Sequence, residues 1–432
     1  MQLREAMQKS VLIMDGAMGT MLQNAGLKAG ENPNLLNLTN PEAVENVHLA
    51  YISAGARMIL TNTFGANERK LGSKAREMVA QGVAIAKRAA KETGTYVALD
   101  VGPLGELLAP MGQLSFHEAY EIFKNQMLAG AEASADAIYI ETITDLAEAR
   151  CALLAAKENT DLPVICSMSF EKNMRTFMGV SLASMALCLG GLGADGLGIN
   201  CSVGPKEIYP MVEELQRWTT LPLAVKPNAG LPTVVDGETI YQTTAEAFEK
   251  EMQKIAGLGV FALGGCCGTT PAFIRRLSPL AGSFRSARQK ETPAAVCSSA
   301  QVVCFDEFKV VGDRISPAGA EIRNAIEEQD LDTLVDEALS QVDDGADLIG
   351  VEVGIPGVDE AETMREAVST LQSMTSAPLC LISGDLAALE AGLRQYHGKA
   401  MIYVPYAAEA KREDLWRLAG KYGAAVMVSV AE

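Results

Sequence analysis

Eight short aliphatic runs recur through the first two thirds of the chain, and this repetition constrains the fold more than any other feature. They are VLIMDG (11–16), MILTNT (58–63), YVALDVG (96–102), AIYIET (137–142), PVICSMSF (163–170), GLGINC (196–201), PLAVKPN (222–228) and VFALGGCC (260–267). Between them lie helical stretches such as 41–55, 70–93, 117–134 and 244–257, several preceded by Ser, Thr or Asn, the residues that cap helix N-termini. Strand and helix alternating eight times predict a closed (βα)8 TIM barrel over residues 1–282. The composition agrees, since 39 Gly, 48% hydrophobic and only 5% aromatic residues suit aliphatic strands joined by glycine-rich turns.

A chain of 432 residues is too long for that barrel alone. From 283 to 303 the apolar period is lost and Ser, Thr, Ala, charge and proline gather, which predicts a linker. A second α/β series over 304–432 then offers FKVVGDR (308–314), DLIGVEVG (347–354), PLCLISGD (378–385), AMIYVPY (400–406) and GAAVMVSV (423–430). Five parallel strands make either an open doubly wound sheet or the first part of an incomplete eightfold barrel. An unclosed barrel exposes strand edges, so pairing with another chain, including a homo-oligomer through this second unit, is expected, unless the chain is part of a longer protein.

The net charge of −18, from 36 basic and 54 acidic residues, repels phosphate backbones and anionic membrane surfaces, so neither nucleic acid nor membrane is an expected partner. Nine Cys is an odd number spread over a long chain, and the opening MQLREAMQKS lacks the apolar core of a signal peptide. A reduced, cytoplasmic setting follows as the expectation.

Residues at the C-terminal ends of barrel strands face one mouth, where reacting groups collect. Cys201 closes the sixth run, and Cys266 and Cys267 close the eighth within GGCCGTTP. Three converging thiolates fill three places of a tetrahedral zinc site and leave the fourth for water or substrate, an arrangement suited to activating a sulfur compound. Gly264 and Gly265 are read as letting the backbone turn so that two consecutive side chains address one ion. A vicinal disulfide between Cys266 and Cys267 is the rival reading, and it leaves Cys201 without a role. Cys151, Cys166, Cys188, Cys297, Cys304 and Cys380 are expected to be buried small hydrophobes.

DGAMGT (15–20), TNTFGA (61–66), DVGPLGE (100–106), IET (140–142), GINCSVGP (198–205), KPNAG (226–230) and GGCCGTTP (264–271) together resemble the ordered motif set of the homocysteine S-methyltransferase family, and especially the homocysteine module of the cobalamin-dependent methionine synthases. The resemblance implies that Cys201, Cys266 and Cys267 hold a zinc ion that binds the sulfur of L-homocysteine. It further implies that Asp15 and Glu141 receive the substrate's ammonium group, with Gly16 and Thr63 lining the pocket. Strand-end carboxylates suit that role on their own terms, although helix capping or a structural salt bridge would also account for them. Asn200 and Asn228 can either orient loops or touch substrate.

In the second series, VVGDRISPAG (310–319) and GADLIGVEVGIPGVDEAETM (345–364) resemble the opening of the pterin-binding barrel of the same synthases. Asp313, Ser316, Gly350, Glu352, Ser383, Val404 and Pro405 stand where that family carries its pterin-contacting groups, so this half is expected to be a degenerate or incomplete relative rather than a folate site. The Asp-x-His-x-x-Gly signature of a corrinoid-carrying module is absent, the histidines occurring as NVHLA, SFHEA and QYHGK. The expected donor is therefore a methylcobalamin-type corrinoid on a separate protein, with betaine and S-methylmethionine as alternatives. A methyltransferase using another thiol, and a non-catalytic zinc- or thiol-binding scaffold for a corrinoid protein, are the competing readings.

Overall fold

The computed structural model of the chain describes residues 3–28, 30–235, 238–282, 291–405 and 412–429. Its first strands are β1 (Leu12–Ile13), β2 (Met58–Leu60), β3 (Tyr96–Val101), β4 (Ala137–Ile143), β5 (Val164–Met168), β6 (Gly196–Asn200) and β7 (Leu223–Lys226). An inserted antiparallel hairpin, β8 (Pro232–Val235) and β9 (Glu238–Tyr241), precedes β10 (Ala262–Leu263). The eight parallel strands form one sheet in the order β1-β10-β7-β6-β5-β4-β3-β2. A parallel bridge between Met14 and Met58 closes the ring, Asp15 N donating to Met58 O at 3.1 Å and Arg57 N to Ile13 O at 2.7 Å. The fold is thus the (βα)8 barrel that the alternation predicts.

Strands of such a barrel are covered on both faces, inside by one another's side chains and outside by helices, so they read as continuous apolar runs. Every residue of β2, β5 and β6 is buried accordingly. The covering helices begin at the caps expected of them. Asn40 accepts from Ala43 N ahead of Pro41–Ser53, Thr244 from Ala247 N ahead of Ala245–Gly257, and Ser115 with Glu118 forms a reciprocal capping box ahead of Phe116–Glu132. Met14, Met58, Leu60, Ala98, Tyr139 and Ile165 belong to the core inside the ring, and the short helix Leu3–Lys9 adds Leu3, Ala6 and Met7 to it. With the strand starts packed against that helix, the opposite end of the barrel is left for chemistry.

The described residues group into two units, one drawn from 1–107, 114–178 and 194–291, the other from 108–113, 179–193 and 292–432. Of the segment expected as a linker, 283–290 lies outside the described residues, and the remainder is not plain linker: β11 (Ala295–Cys297) and β12 (Val302–Cys304) pair as an antiparallel hairpin. The runs AVC and VVC on either side of SSAQ are short β-forming segments flanking a turn, a pattern masked by the surrounding Ser and Thr. In the second unit β13 (Val311–Ile315), β14 (Leu348–Glu352), β15 (Leu379–Ile382), β16 (Met401–Tyr403) and β17 (Ala425–Met427) form a five-stranded parallel sheet in sequential order. A doubly wound sheet reverses its strand order at a switch point, and this sheet does not, so its topology is that of an open stretch of barrel wall. Helix Leu182–Gly191 belongs to this unit, where Cys188 Sγ meets Gly398 O at 3.4 Å. Its sequence LASMALCLGG is apolar on every side, and such a helix must be covered all round.

Candidate active site

The groups singled out at the barrel mouth sit at or just beyond strand ends. Asp15 follows β1, Glu141 and Thr142 lie near the C-terminal end of β4, Cys201 follows β6, and Cys266 and Cys267 follow β10. The three Sγ atoms lie within 4.8 Å of one another. Tetrahedral zinc with Zn–S bonds of about 2.3 Å needs sulfur separations of about 3.8 Å, so the trio is spaced to hold the ion. All three cysteines are free thiols, which leaves no vicinal disulfide in the structure.

The backbone builds this convergence through strained and crowded positions. Cys201 and Ser202 both take positive φ, 60° and 55°, fixed by bonds from Cys201 N to Lys226 O (3.1 Å) and Val203 N to Cys201 O (2.6 Å). Cys266 N donates to Pro227 O at 2.8 Å, and Ala229 N donates to Cys267 O at 2.9 Å. Gly264 and Gly265 are not turn glycines, contrary to the sequence-based reading, because neither takes a positive φ. A Cβ on Gly265 would lie 2.3 Å from Thr269 Oγ1, and one on Gly264 2.8 Å from Asp15 O, so they are glycine to permit close packing. Thr269 Oγ1 in turn donates to Cys266 O at 2.7 Å.

Three thiols in one place cannot all ionise without a counter-charge. Hydrogen bonds from Cys201 and then Cys266 pull the Cys267 thiol down to about 3, against burial and with help from Tyr241, whose hydroxyl faces it from the end of β9. The donors bear the cost: bonding to Cys201 and Cys267 pushes Cys266 well up. Cys201, favoured by Cys266 but opposed by Cys267 and burial, is raised to about 11. A divalent cation held by the three sulfurs would supply the charge that lets all of them deprotonate.

Beside the sulfurs lies an ionic cluster that spacing alone did not reveal. Lys226, the last residue of β7 and fully buried, places Nζ 3.1 Å from Glu141 Oε2, 3.8 Å from Asp15 Oδ1, and over the Tyr139 ring at 5.3 Å. Burial alone would lower the Lys226 pKa, but Glu141 and Asp15 outweigh it and hold the ammonium well above its ordinary value. Burial pushes the Asp15 carboxyl up to about 7 against the pull of Lys226 and of Leu60 N, which donates to Oδ2 at 2.7 Å. Asp100, at the end of β3, is held well above the usual range first by burial and then by Glu141. Lys226 and Asp100 both sit at strand ends, inside KPNAG and DVGPLGE, but nothing in the sequence shows that the ring brings them together.

A cavity of about 410 Å³ joins the two clusters and is lined by Asp15, Gly16, Asp100, Glu141, Lys226 and the three cysteines, among others. Thr63 is not among its lining residues. It is fully buried, with Oγ1 2.6 Å from Thr61 Oγ1 and donating to Asp100 O at 2.8 Å, so it fixes the wall instead of forming it. Asn200 is likewise consumed by structure. Its amide accepts from Thr142 N (3.1 Å) and Ser167 Oγ (2.7 Å) and donates to Thr142 Oγ1 (2.7 Å), tying together the ends of β4, β5 and β6. Asn228 is buried, its backbone N donating to Val203 O at 3.1 Å.

Fold and site together define a (βα)8 barrel that carries a three-cysteine centre beside a buried carboxylate–lysine cluster. The chain belongs to the homocysteine S-methyltransferase family, whose model, described as Homocysteine S-methyltransferase, matches residues 12–281. Among curated proteins it is similar to the methionine synthases of Mycobacterium tuberculosis (31% identical) and Mycobacterium leprae (29%), in each case over 98% of this chain and 38% of the relative. The chain therefore spans well under half the length of those relatives. In fold it is similar to the homocysteine methyltransferase MmuM of Escherichia coli in its metallated form, with a TM-score of 0.55 and 23% identity over 63% of this chain and 96% of that one. The oxidized form of the same protein gives a TM-score of 0.54.

Proposed function

We propose that the barrel binds L-homocysteine and presents its sulfur as a thiolate for methyl transfer, yielding methionine. The observation that carries this reading is that one cavity holds both a zinc-spaced thiol trio and a carboxylate cluster, as an amino acid thiol requires at its two ends. Zinc held by Cys201, Cys266 and Cys267 would lower the pKa of a bound thiol so that it is a nucleophile at neutral pH. The chain's own residues do the placing. Asp15 and Glu141 receive the substrate ammonium, Asp15 through Oδ1, which no group among the described residues hydrogen-bonds. Gly16 borders the cavity where a Cβ would strike Thr269 Oγ1 at 2.7 Å and the Tyr51 ring at 2.9 Å. Fixing both ends of the substrate aims the sulfur, which is most of what a displacement at a methyl group asks of a protein.

The donor in this reading is a methylated corrinoid carried by a separate protein that docks over the barrel mouth, in a reducing cytoplasm where the cysteines stay free. Among the described residues no helix is long and apolar enough to cross a membrane. Folate binding by the second unit is not part of the proposal. There Ser316 Oγ donates to Glu352 Oε2 at 2.6 Å and Ser383 Oγ to Glu360, so both hydroxyls left in place of the pterin contacts are engaged within the unit. The test is to offer methylcobalamin, betaine and S-methylmethionine separately with L-homocysteine to the zinc-loaded chain and to quantify methionine by mass spectrometry. Methionine from methylcobalamin alone is expected. Methionine from another donor reassigns the donor, and none from any donor, with homocysteine still bound, favours the scaffold reading.

A further inference from the structure

Three acidic residues, not two, line the cavity that Lys226 also borders: Asp15, Glu141 and Asp100. Asp100 is placed by its backbone, N bonded to Thr61 Oγ1 at 3.0 Å, O bonded to Thr63 Oγ1 at 2.8 Å, and its Cα in register with Tyr139 of β4. Two of the oxygens involved, Asp15 Oδ1 and Asp100 Oδ1, are buried and have no hydrogen-bond partner among the described residues. Buried acceptors without donors are costly and uncommon, and here two of them belong to neighbouring residues that both border one cavity. Lys226 does not supply the donor. Its Nζ is engaged with Glu141 at 3.1 Å and stays 3.8 Å from Asp15, beyond hydrogen-bonding reach.

A primary ammonium brings three N–H donors and one positive charge, which matches three neighbouring carboxyl groups of which Lys226 pairs with two. We propose that Asp100 is the third acceptor of the substrate's ammonium, completing with Asp15 and Glu141 a pocket that selects α-amino thiols over thiol acids of the same length. Lys226 then acts as the fixed counter-ion that keeps the carboxylates from repelling one another before substrate arrives. This assignment rests on the homocysteine reading of the site. It predicts a specificity role for a residue whose motif, DVGPLGE, otherwise reads as a strand end followed by a turn.

The experiment is calorimetric titration of the zinc-loaded full chain with L-homocysteine and with 4-mercaptobutanoate, which has the same thiol and carboxylate but no ammonium. Because both ligands present sulfur to the same metal, their affinity ratio isolates the ammonium. The wild type should prefer homocysteine, and Asp100→Asn should weaken homocysteine at least tenfold while changing 4-mercaptobutanoate less than twofold. Asp100→Ser serves as a second variant, with zinc content and circular dichroism confirming the fold of each. Retention of the homocysteine preference in both variants, or an equal loss for both thiols, overturns the role of Asp100 and leaves the homocysteine reading intact. A wild type that binds neither thiol, or shows no preference for homocysteine, overturns that reading and this assignment with it.

Discussion

Replacing Lys226 by methionine removes the cation that pairs with both Asp15 and Glu141 while keeping most of the side chain's volume. At an effective dielectric of about 20, charges 3.1 Å and 3.8 Å apart attract by roughly 5 and 4 kcal/mol, set against several kcal/mol for dehydrating each ion. The pair is therefore not strongly stabilising as a unit, but deleting one partner leaves the carboxylates buried without compensation. The expected loss is about 3–5 kcal/mol, read from urea unfolding of the barrel followed by circular dichroism. Adding Glu141→Gln to the same protein removes one of the stranded charges and should recover about 1 kcal/mol or more, so the two changes should be strongly non-additive. A Lys226→Met protein within about 1 kcal/mol of the wild type, or purely additive effects, would refute the ion cluster as described.

Three further outcomes follow. His48 is fully buried with neither ring nitrogen hydrogen-bonded among the described residues, and burial lowers its pKa to about 4. A base depressed from about 6.5 in the unfolded chain contributes stability that is complete above that pH and lost as pH falls toward 4, worth about 3 kcal/mol. His48→Leu should flatten that acid dependence, and an unchanged slope would show that His48 is not buried neutral. Gly265→Ala, whose Cβ would lie 2.3 Å from Thr269 Oγ1, should displace the Cys266 backbone and weaken zinc binding about tenfold or more in a chelator competition, with the helical signal retained. Cys201→Ala should lower zinc stoichiometry well below one per chain by elemental analysis, whereas Cys166→Ala, at a buried position within β5, should not.

Much of the barrel was legible because burial on both faces forces each strand to be an aliphatic run and each crossover to be a capped helix. The second sheet was legible in strand number but not in topology, since strand order depends on how helices pack rather than on the runs themselves. The hairpin β8–β9 carried a signal, the Asp-Gly dipeptide in TVVDGETI, that the alternation of strand and helix obscured. Within the site, the cysteines and Asp15 were legible from strand-end position, and their chemistry announces itself by residue type. Lys226 was not, because a lysine before Pro-Asn reads as solvated until the ring brings Glu141 and Asp15 against it. Thr63 is a motif position beside the pocket whose hydroxyl turns into the wall to hold the Asp100 carbonyl.

The central claim is that this barrel activates a thiol on a metal held by Cys201, Cys266 and Cys267. The most direct test is calorimetric titration of L-homocysteine into zinc-loaded and zinc-stripped protein, in buffers of different ionisation enthalpy, with Cys266→Ala as control. Binding only to the zinc-loaded wild type is expected, with release of about one proton per thiol bound. Equal binding with and without zinc, or zinc-dependent binding with no proton released, would contradict it.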